Sequence, residues 1–324
     1  MMQKSPAGPT LSLAQKQAFF DEGYLVLENI FDPTDLDPVI AEIQEQVDRQ
    51  ARELYAKGEL PEMYQDQDFE RRLACISRHS DSVARSIWNG TLSGPAFFNL
   101  ICNPNLLDMV EAFAGPEIIA SSVYRLRPKI PHYNYGAVPW HQDSGYFEPF
   151  CDNGLVLTVW IPLVDTHADN GCLWVIPRAH QGKVLPHRKD ADAGYLVIDE
   201  AHLPTEHKPV CCPVPKGGVL LLHNRTPHVS FENKTQGVRW SMDLRYQSAT
   251  LPTNAPITRL ADELLPRGEN ADDPQYIPPA CYPPEADFLV RSRQRPEQVL
   301  TSASAFSLLR REHLYRPVTA RWES

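Results

Sequence analysis

Gly115-Pro116 divides the chain into two hydrophobic rhythms, and this division limits the fold more than any other feature of the sequence. Before it, apolar residues recur at helical spacing. Ser12, with Gln15 three residues on, reads as a capping box for a helix to about Glu22, which Gly23 ends. Tyr24 to Leu27 reads as a strand, and Asp32-Pro33 opens a longer helix through Leu36, Ile40, Ile43, Val47 and Leu54. Residues 60–95 show one or two short helices, and Asn103-Pro104 starts another that runs to Phe113. After the division the period becomes that of strands: 118–126, 155–163, 172–176, 208–212, 219–222 and 238–246. Asp-Asn-Gly, Pro-Lys-Gly-Gly and Asn-Lys-Thr-Gln-Gly turns separate them.

Short strands without alternating helices predict a mainly β sandwich or jelly-roll barrel, with the early helices covering one outer face. The expected organisation is one domain over residues 1–324: a helical flank over 1–115, a β core over 118–247 and a loop-rich segment over 250–324. That last segment holds many of the 30 prolines, and residues 1–10 read as a loose tail.

Net charge is −10, and the dense basic clusters are as short as Arg291 to Arg293 and Arg310-Arg311, which argues against nucleic acid as a partner. No apolar run approaches membrane-spanning length, so no membrane partner is expected. The seven cysteines form no Cys-x-x-Cys pair and read as reduced thiols, and no apolar leader is evident. These features predict a cytoplasmic protein acting on a small-molecule substrate, monomeric or homodimeric by default.

His141-Gln142-Asp143 carries the chemistry. In extended chain, residues i and i+2 share a face, so one imidazole and one carboxylate converge while Gln142 turns away. A second histidine would complete a two-His-one-carboxylate face, the arrangement of non-haem Fe(II) oxygenases. His223 and His228 both follow the buried run Val219 to Leu222. Arg239 begins an apolar strand, where a guanidinium needs an anionic partner such as a dicarboxylate. The bland alternatives are a solvated loop pair for His141 and Asp143 and a surface arginine at 239. A structural zinc site is disfavoured because such sites are closed by four ligands.

The chain resembles the phytanoyl-CoA dioxygenase family of Fe(II)/2-oxoglutarate oxygenases over residues 12 to 247. The likeness runs through Phe19 to Leu27, Phe113 to Pro116, Pro139 to Asp143 with Tyr146-Phe147, Trp160, Asn170 to Leu173, Ile176-Pro177, His180, Gly182, Pro186-His187, His228 and Asn233 to Gly237 before Arg239. The resemblance implies a double-stranded β-helix, a cupin-like barrel of jelly-roll type. It selects His228 over His223, giving His141, Asp143 and His228 as iron ligands and Arg239 as the clamp on the distal carboxylate of 2-oxoglutarate. Ser241, Trp160 and Tyr124 become further co-substrate contacts. A lysine that contacts 2-oxoglutarate in the founding enzyme has no counterpart among residues 78–91.

The implied reaction consumes O2 and 2-oxoglutarate, releases succinate and CO2 and hydroxylates a small organic molecule. Retention of Asp143 argues against halogenation. The competing readings are a barrel metalloenzyme that does not use 2-oxoglutarate and a catalytically silent binding protein. His132, Tyr133, Tyr135, Trp140, Tyr146, Phe147, His187 and Arg225 are expected near the site mouth, with the C-terminal segment either a lid or simple packing.

Overall fold

The computed structural model describes residues 11–88, 92–121, 124–132, 136–147, 149–190, 195–251, 288–312 and 320–322. Helix α1 (Leu13–Glu22) is capped by Ser12, whose Oγ accepts from the Gln15 N–H at 3.2 Å while Gln15 Oε1 accepts from the Ser12 N–H at 2.9 Å. Gly23 ends it at a φ of 82°, a left-handed conformation that favours glycine. β1 (Tyr24–Leu27) follows, then α2 (Asp37–Ala56), α3 (Phe69–Ser77), α4 (Ser82–Trp88), α5 (Pro95–Ile101) and α6 (Pro104–Ala114). Asn103 caps α6 by accepting from the Leu106 N–H at 3.2 Å.

The strands are β2 (Ile118–Ala120), β3 (Arg125–Lys129), β4 (Val138–His141), β5 (Val156–Pro162), β6 (Leu173–Val175), β7 (Arg188–Lys189), β8 (Leu196–Val197), β9 (Val210–Cys212), β10 (Val219–His223), β11 (His228–Ser230), β12 (Arg239–Ser248) and β13 (Phe288–Arg291), with helix α7 (Ala303–Glu312) after them. A large antiparallel sheet runs β1-β10-β5-β12-β2-β13, with β3 also paired to β12. A smaller antiparallel sheet runs β4-β11-β6-β9. Trp160, Leu220 and Leu222 from the large sheet meet Leu173, Val175 and Cys212 from the small one, so the two sheets pack face to face.

Strand alternation decides what each face carries. In β12, Trp240, Met242, Leu244 and Tyr246 join the core under the helices. Arg239, Asp243 and Arg245 point the other way and line a cleft between the sheets. β5 divides likewise, with Leu157, Val159 and Ile161 on the helix side and Thr158 and Trp160 in the cleft. The helices therefore seal one face of the large sheet, and function is left to the other.

Three expectations need correction. Among the described residues helical ones outnumber strand ones, because five of the α-helices precede residue 102 and most strands are short, so the chain is not mainly β. Neither sheet closes on itself among the described residues, so the β core is two facing sheets and not a closed barrel. The single strand expected over 118–126 is two strands, β2 and β3, because β12 pairs its start with β3 and its end with β2. Much of the segment expected to be loop-rich, 252–287, lies outside the described residues, as do residues 1–10. Residues 313–319 and 323–324 lie outside them too, and the described part of that segment supplies β13, which pairs with β2, and α7.

The six described cysteines carry free thiols, with Cys172 Sγ and Cys211 Sγ 3.3 Å apart. Among the described residues no helix is long and apolar enough to cross a membrane.

Candidate metal centre

His141 ends β4 and His228 begins β11, and the two are direct partners in the antiparallel register. Cross-strand partners present their side chains on one face, and here the ring centroids stand 4.1 Å apart. Asp143 opens the 3-10 turn Asp143–Tyr146 just beyond β4. One ligand atom from each of His141, Asp143 and His228 lies within 4.8 Å of the others, and all three residues are buried. Gln142 between them turns to the opposite side. Its Nε2 donates to Arg225 O at 2.6 Å and its Oε1 accepts from the Leu185 N–H at 2.7 Å. This is the sidedness that the His-x-Asp spacing requires.

Backbone carbonyls set the tautomers. His141 Nδ1 donates to Pro139 O at 2.8 Å and His228 Nδ1 donates to Thr226 O at 2.9 Å. A carbonyl only accepts, so each Nδ1 carries the proton and each Nε2 keeps a lone pair for a metal. Burial, reinforced by the neighbouring His228, holds His141 well below the usual histidine range and thus neutral. Burial alone would raise the Asp143 carboxyl, but Arg245 beside it holds it well below the usual carboxylate range. Arg245 Nη2 donates to Asp143 Oδ1 at 2.7 Å, and Thr158 Oγ1 donates to Oδ2. The donor set is therefore two imidazoles and one ionised carboxylate, which fits a divalent iron with open positions.

The cleft at these residues also receives Arg239 and Trp160. Arg239 is buried, its Nη1 donates to Ser241 Oγ and its Nη2 donates to Ser230 Oγ at 3.0 Å. Among the described residues no carboxylate touches it, and its Nε has no partner. Burial draws its pKa down to about 10, against the pull of Asp243, so it stays charged at neutral pH. A buried guanidinium held only by hydroxyls retains capacity for a bidentate anion. Trp160 covers it, with 5.4 Å from the guanidinium carbon to the ring centroid. Lys129, the cross-strand partner of Arg239, is buried with its Nζ donating to Ser230 O at 2.8 Å and to Phe231 O.

The other residues singled out in the sequence divide. Ser241 supports Arg239 as described. Tyr124 does not line the cleft: it stacks on Phe97 in the core beneath the helices, and its hydroxyl donates to Leu92 O. His223 stands 5.1 Å from His180 and accepts from the Arg225 N–H at 3.1 Å, outside the metal cluster. His187 accepts from the Gln142 N–H at 3.0 Å and thereby steadies the ligand turn. Tyr146 packs edge-on against His141, with 5.8 Å between centroids, and its hydroxyl accepts from the Leu196 N–H at 2.9 Å. Tyr133 and Tyr135 lie outside the described residues. Sequence reasoning missed Arg245, Thr158, Arg127, Asp243 and Trp88, all of which line the cleft. The alternation Arg-Trp-Ser-Met-Asp-Leu-Arg-Tyr over 239–246 was the available signal for two of them.

Residues near the end of the sequence return to the ligand turn. Arg321 forms two hydrogen bonds to Asp152, at 2.8 and 2.6 Å, and Trp322 Nε1 donates to Gly145 O at 2.7 Å. The Trp322 ring packs on His187 at 5.1 Å between centroids.

Solved structures share this fold. The non-heme monooxygenase ThoJ in its apo form matches with a TM-score of 0.55 at 18% identity, covering 92% of this chain and 96% of that one. The non-heme alpha-ketoglutarate-dependent epimerase SnoN matches with a TM-score of 0.52 at 20% identity, covering 86% of this chain and 98% of that one. These likenesses show the fold, that of the double-stranded β-helix with N-terminal helices, while the match to the Phytanoyl-CoA dioxygenase family together with the two-His-one-carboxylate triad makes the chain an iron- and 2-oxoglutarate-dependent dioxygenase-type enzyme. A family model described as Phytanoyl-CoA dioxygenase (PhyH) matches residues 19–241, and the chain belongs to that family.

Among its relatives, peroxisomal phytanoyl-CoA dioxygenase of Homo sapiens is 24% identical over 243 residues, covering 74% of this chain and 69% of the relative. The probable alpha-ketoglutarate-dependent hypophosphite dioxygenase of Stutzerimonas stutzeri is 26% identical over 244 residues, covering 72% and 78%. The cytoplasmic expectation does not stand, because the human, rat, mouse and bovine relatives are peroxisomal enzymes. Unpaired cysteines argue against a disulfide framework but do not choose among compartments that lack one.

Proposed function

We propose that this enzyme hydroxylates a small organic substrate, with His141, Asp143 and His228 holding iron and Arg239 holding the distal carboxylate of 2-oxoglutarate. The observation that carries this reading is Arg239 itself: a buried cation in the metal cleft, satisfied only by hydroxyls and covered by Trp160. Nothing else described around it explains a guanidinium there, and a dicarboxylate reaching from the metal would. A barrel metalloenzyme that ignores 2-oxoglutarate would have no use for it.

An iron held by His141, Asp143 and His228 would let O2 serve as the oxidant, one oxygen atom passing to succinate as 2-oxoglutarate loses CO2 and the other to the hydroxylated substrate. The protein's share is placement. The backbone carbonyls orient two imidazoles, Arg245 and Thr158 orient Asp143, and Ser230 and Ser241 orient Arg239 before any ligand arrives. Leu173, Leu222 and Trp160 make one side of the cleft apolar, which limits water at the reacting centre. We take the whole chain as one catalytic unit. The return of Arg321 and Trp322 to the ligand turn and the pairing of β13 with β2 support that.

The test is succinate release from iron-loaded protein, compared with Arg239→Met. The variant is expected to bind iron as before and to need about 10- to 100-fold more 2-oxoglutarate, the usual worth of a charge-assisted bidentate pair. Unchanged dependence on 2-oxoglutarate would defeat the assignment.

A further inference from the structure

The cleft holds a third arginine that neither the metal nor 2-oxoglutarate requires. Arg127, on β3, donates through Nε to Asp243 Oδ2 at 2.9 Å, and its guanidinium carbon lies 4.7 Å from the centroid of the Trp88 ring. Both partners hold the stem end and one face of the guanidinium. Its two Nη groups take no hydrogen-bond partner among the described residues, and neither is sealed from solvent, unlike Arg239 Nε and Arg245 Nε. The side chain is 17% exposed and lines the same cleft as His141 and Asp143. This is a planar fork, fixed at one edge and open at the other, facing the space beside the metal ligands.

Charge points the same way. Three guanidiniums, Arg127, Arg239 and Arg245, face the cleft against two carboxylates, Asp143 and Asp243. A divalent metal and a dianionic keto acid cancel each other, so one positive charge persists in the loaded cleft. A partly enclosed cleft with an uncompensated charge favours a ligand that brings the opposite one. Trp88 beside the fork, with Val138, Leu173 and Leu222 elsewhere on the wall, adds apolar surface for the body of such a ligand.

We propose that Arg127 is the specificity-determining residue for the substrate: its open Nη pair binds an oxyanion group, a carboxylate or a phosphate, and so presents a C–H bond of the substrate's apolar body to the metal. This inference rests on the proposed assignment of Arg239 to 2-oxoglutarate, since that leaves Arg127 for the substrate. Asp243 serves as a positioning residue, holding Nε so that the fork faces the cleft.

The experiment uses full-length protein loaded anaerobically with Fe(II) and 2-oxoglutarate. The visible charge-transfer band of the iron–keto acid pair is recorded while calorimetry follows binding of three probes: hexanoate, hexyl phosphate and the uncharged hexanamide. At least one anion is expected to bind about tenfold or more tightly than hexanamide, as a bidentate charge-assisted pair predicts. The better anion identifies whether the group is a carboxylate or a phosphate. Arg127→Gln should abolish the preference and keep the charge-transfer band, and Arg127→Lys, which keeps charge without the planar fork, should retain part of it. Equal binding of anion and amide, no binding of any probe, or a preference that survives Arg127→Gln would overturn the proposal. Loss of the band in Arg127→Gln with its retention in Arg239→Gln would give Arg127 to 2-oxoglutarate instead. Absence of the band in the unmodified protein would sink the co-substrate reading, while the calorimetric preference would still decide whether the cleft selects oxyanions.

Discussion

Arg245 and Asp143 form a buried ion pair behind the metal site, Nη2 to Oδ1 at 2.7 Å, with side-chain exposures of 14% and 2%. The pair leaves Asp143 ionised where burial would otherwise protonate it, and it fixes which way the carboxylate faces. It adds a cation beside a cation site, which costs electrostatic energy, so its value to the enzyme lies in geometry.

Arg245→Met should therefore lower Fe(II) affinity about 10- to 100-fold, the usual penalty for losing the partner of a metal ligand. With Arg245 gone, burial governs Asp143 and raises its pKa, so metal binding should fail at a higher pH than in the unmodified enzyme. Titration of Fe(II) binding against pH checks both statements. An affinity that is unchanged or improved would show that charge repulsion outweighs positioning.

Replacing the ligands should separate two histidines that lie close in sequence. His141→Ala, Asp143→Ala and His228→Ala are each expected to abolish the rise in melting temperature on adding a divalent metal, whereas His223→Ala should keep it. A metal at a hundred times its dissociation constant stabilises a folded protein by about 2.7 kcal/mol, which such a scan resolves. Loss of the rise in His223→Ala alone would mean the ligand has been misassigned.

Acid should weaken the fold through His223. Burial, aided by His180 and Arg225, pulls its pKa down to about 3. Between that value and the ordinary histidine value near 6.5 the unfolded chain binds a proton that the folded one refuses. Stability is therefore fully present above about pH 6.5 and is lost as the pH falls toward 3, by on the order of a few kcal/mol. Urea midpoints at pH 7 and pH 4.5 should differ less in His223→Asn than in the unmodified protein. Equal differences would assign the acid sensitivity elsewhere.

Arg321→Ala and Trp322→Ala probe the return of the chain to the ligand turn. Each removes a pin from the segment that carries Asp143, and each should lower metal affinity up to about tenfold at a stability cost of about 1–2 kcal/mol. Isothermal titration with Ni(II) measures the first and chemical denaturation the second. Full affinity in both variants would make these contacts simple packing.

Much of the site was legible because strands have a period of two. His141 and Asp143 share a side and Gln142 does not, and that follows from spacing alone. The same rule, applied to β12 and β3, would have taken Arg127 in place of Tyr124. Leu126 is a core residue, so Tyr124 belongs with it and Arg127 belongs opposite. What hid the strands of the ligands is their brevity: β4 and β11 are four and three residues long, and carry a proline and two histidines where strand formers are usual. The pairing of Arg245 with Asp143 joins residues far apart in sequence, and no local pattern encodes it.

The register that sets His141 opposite His228 also dictates when a metal can be captured. During synthesis His141 and Asp143 leave the ribosome well before His228, and a nascent chain displays one imidazole and one carboxylate on unpaired backbone. Two such donors bind divalent ions weakly and with little preference among them. Only when β11 docks between β4 and β6 does the third ligand arrive, with its tautomer already set by Thr226. The choice of ion is thereby deferred from the emerging polypeptide to the finished fold, where geometry instead of raw affinity can make it.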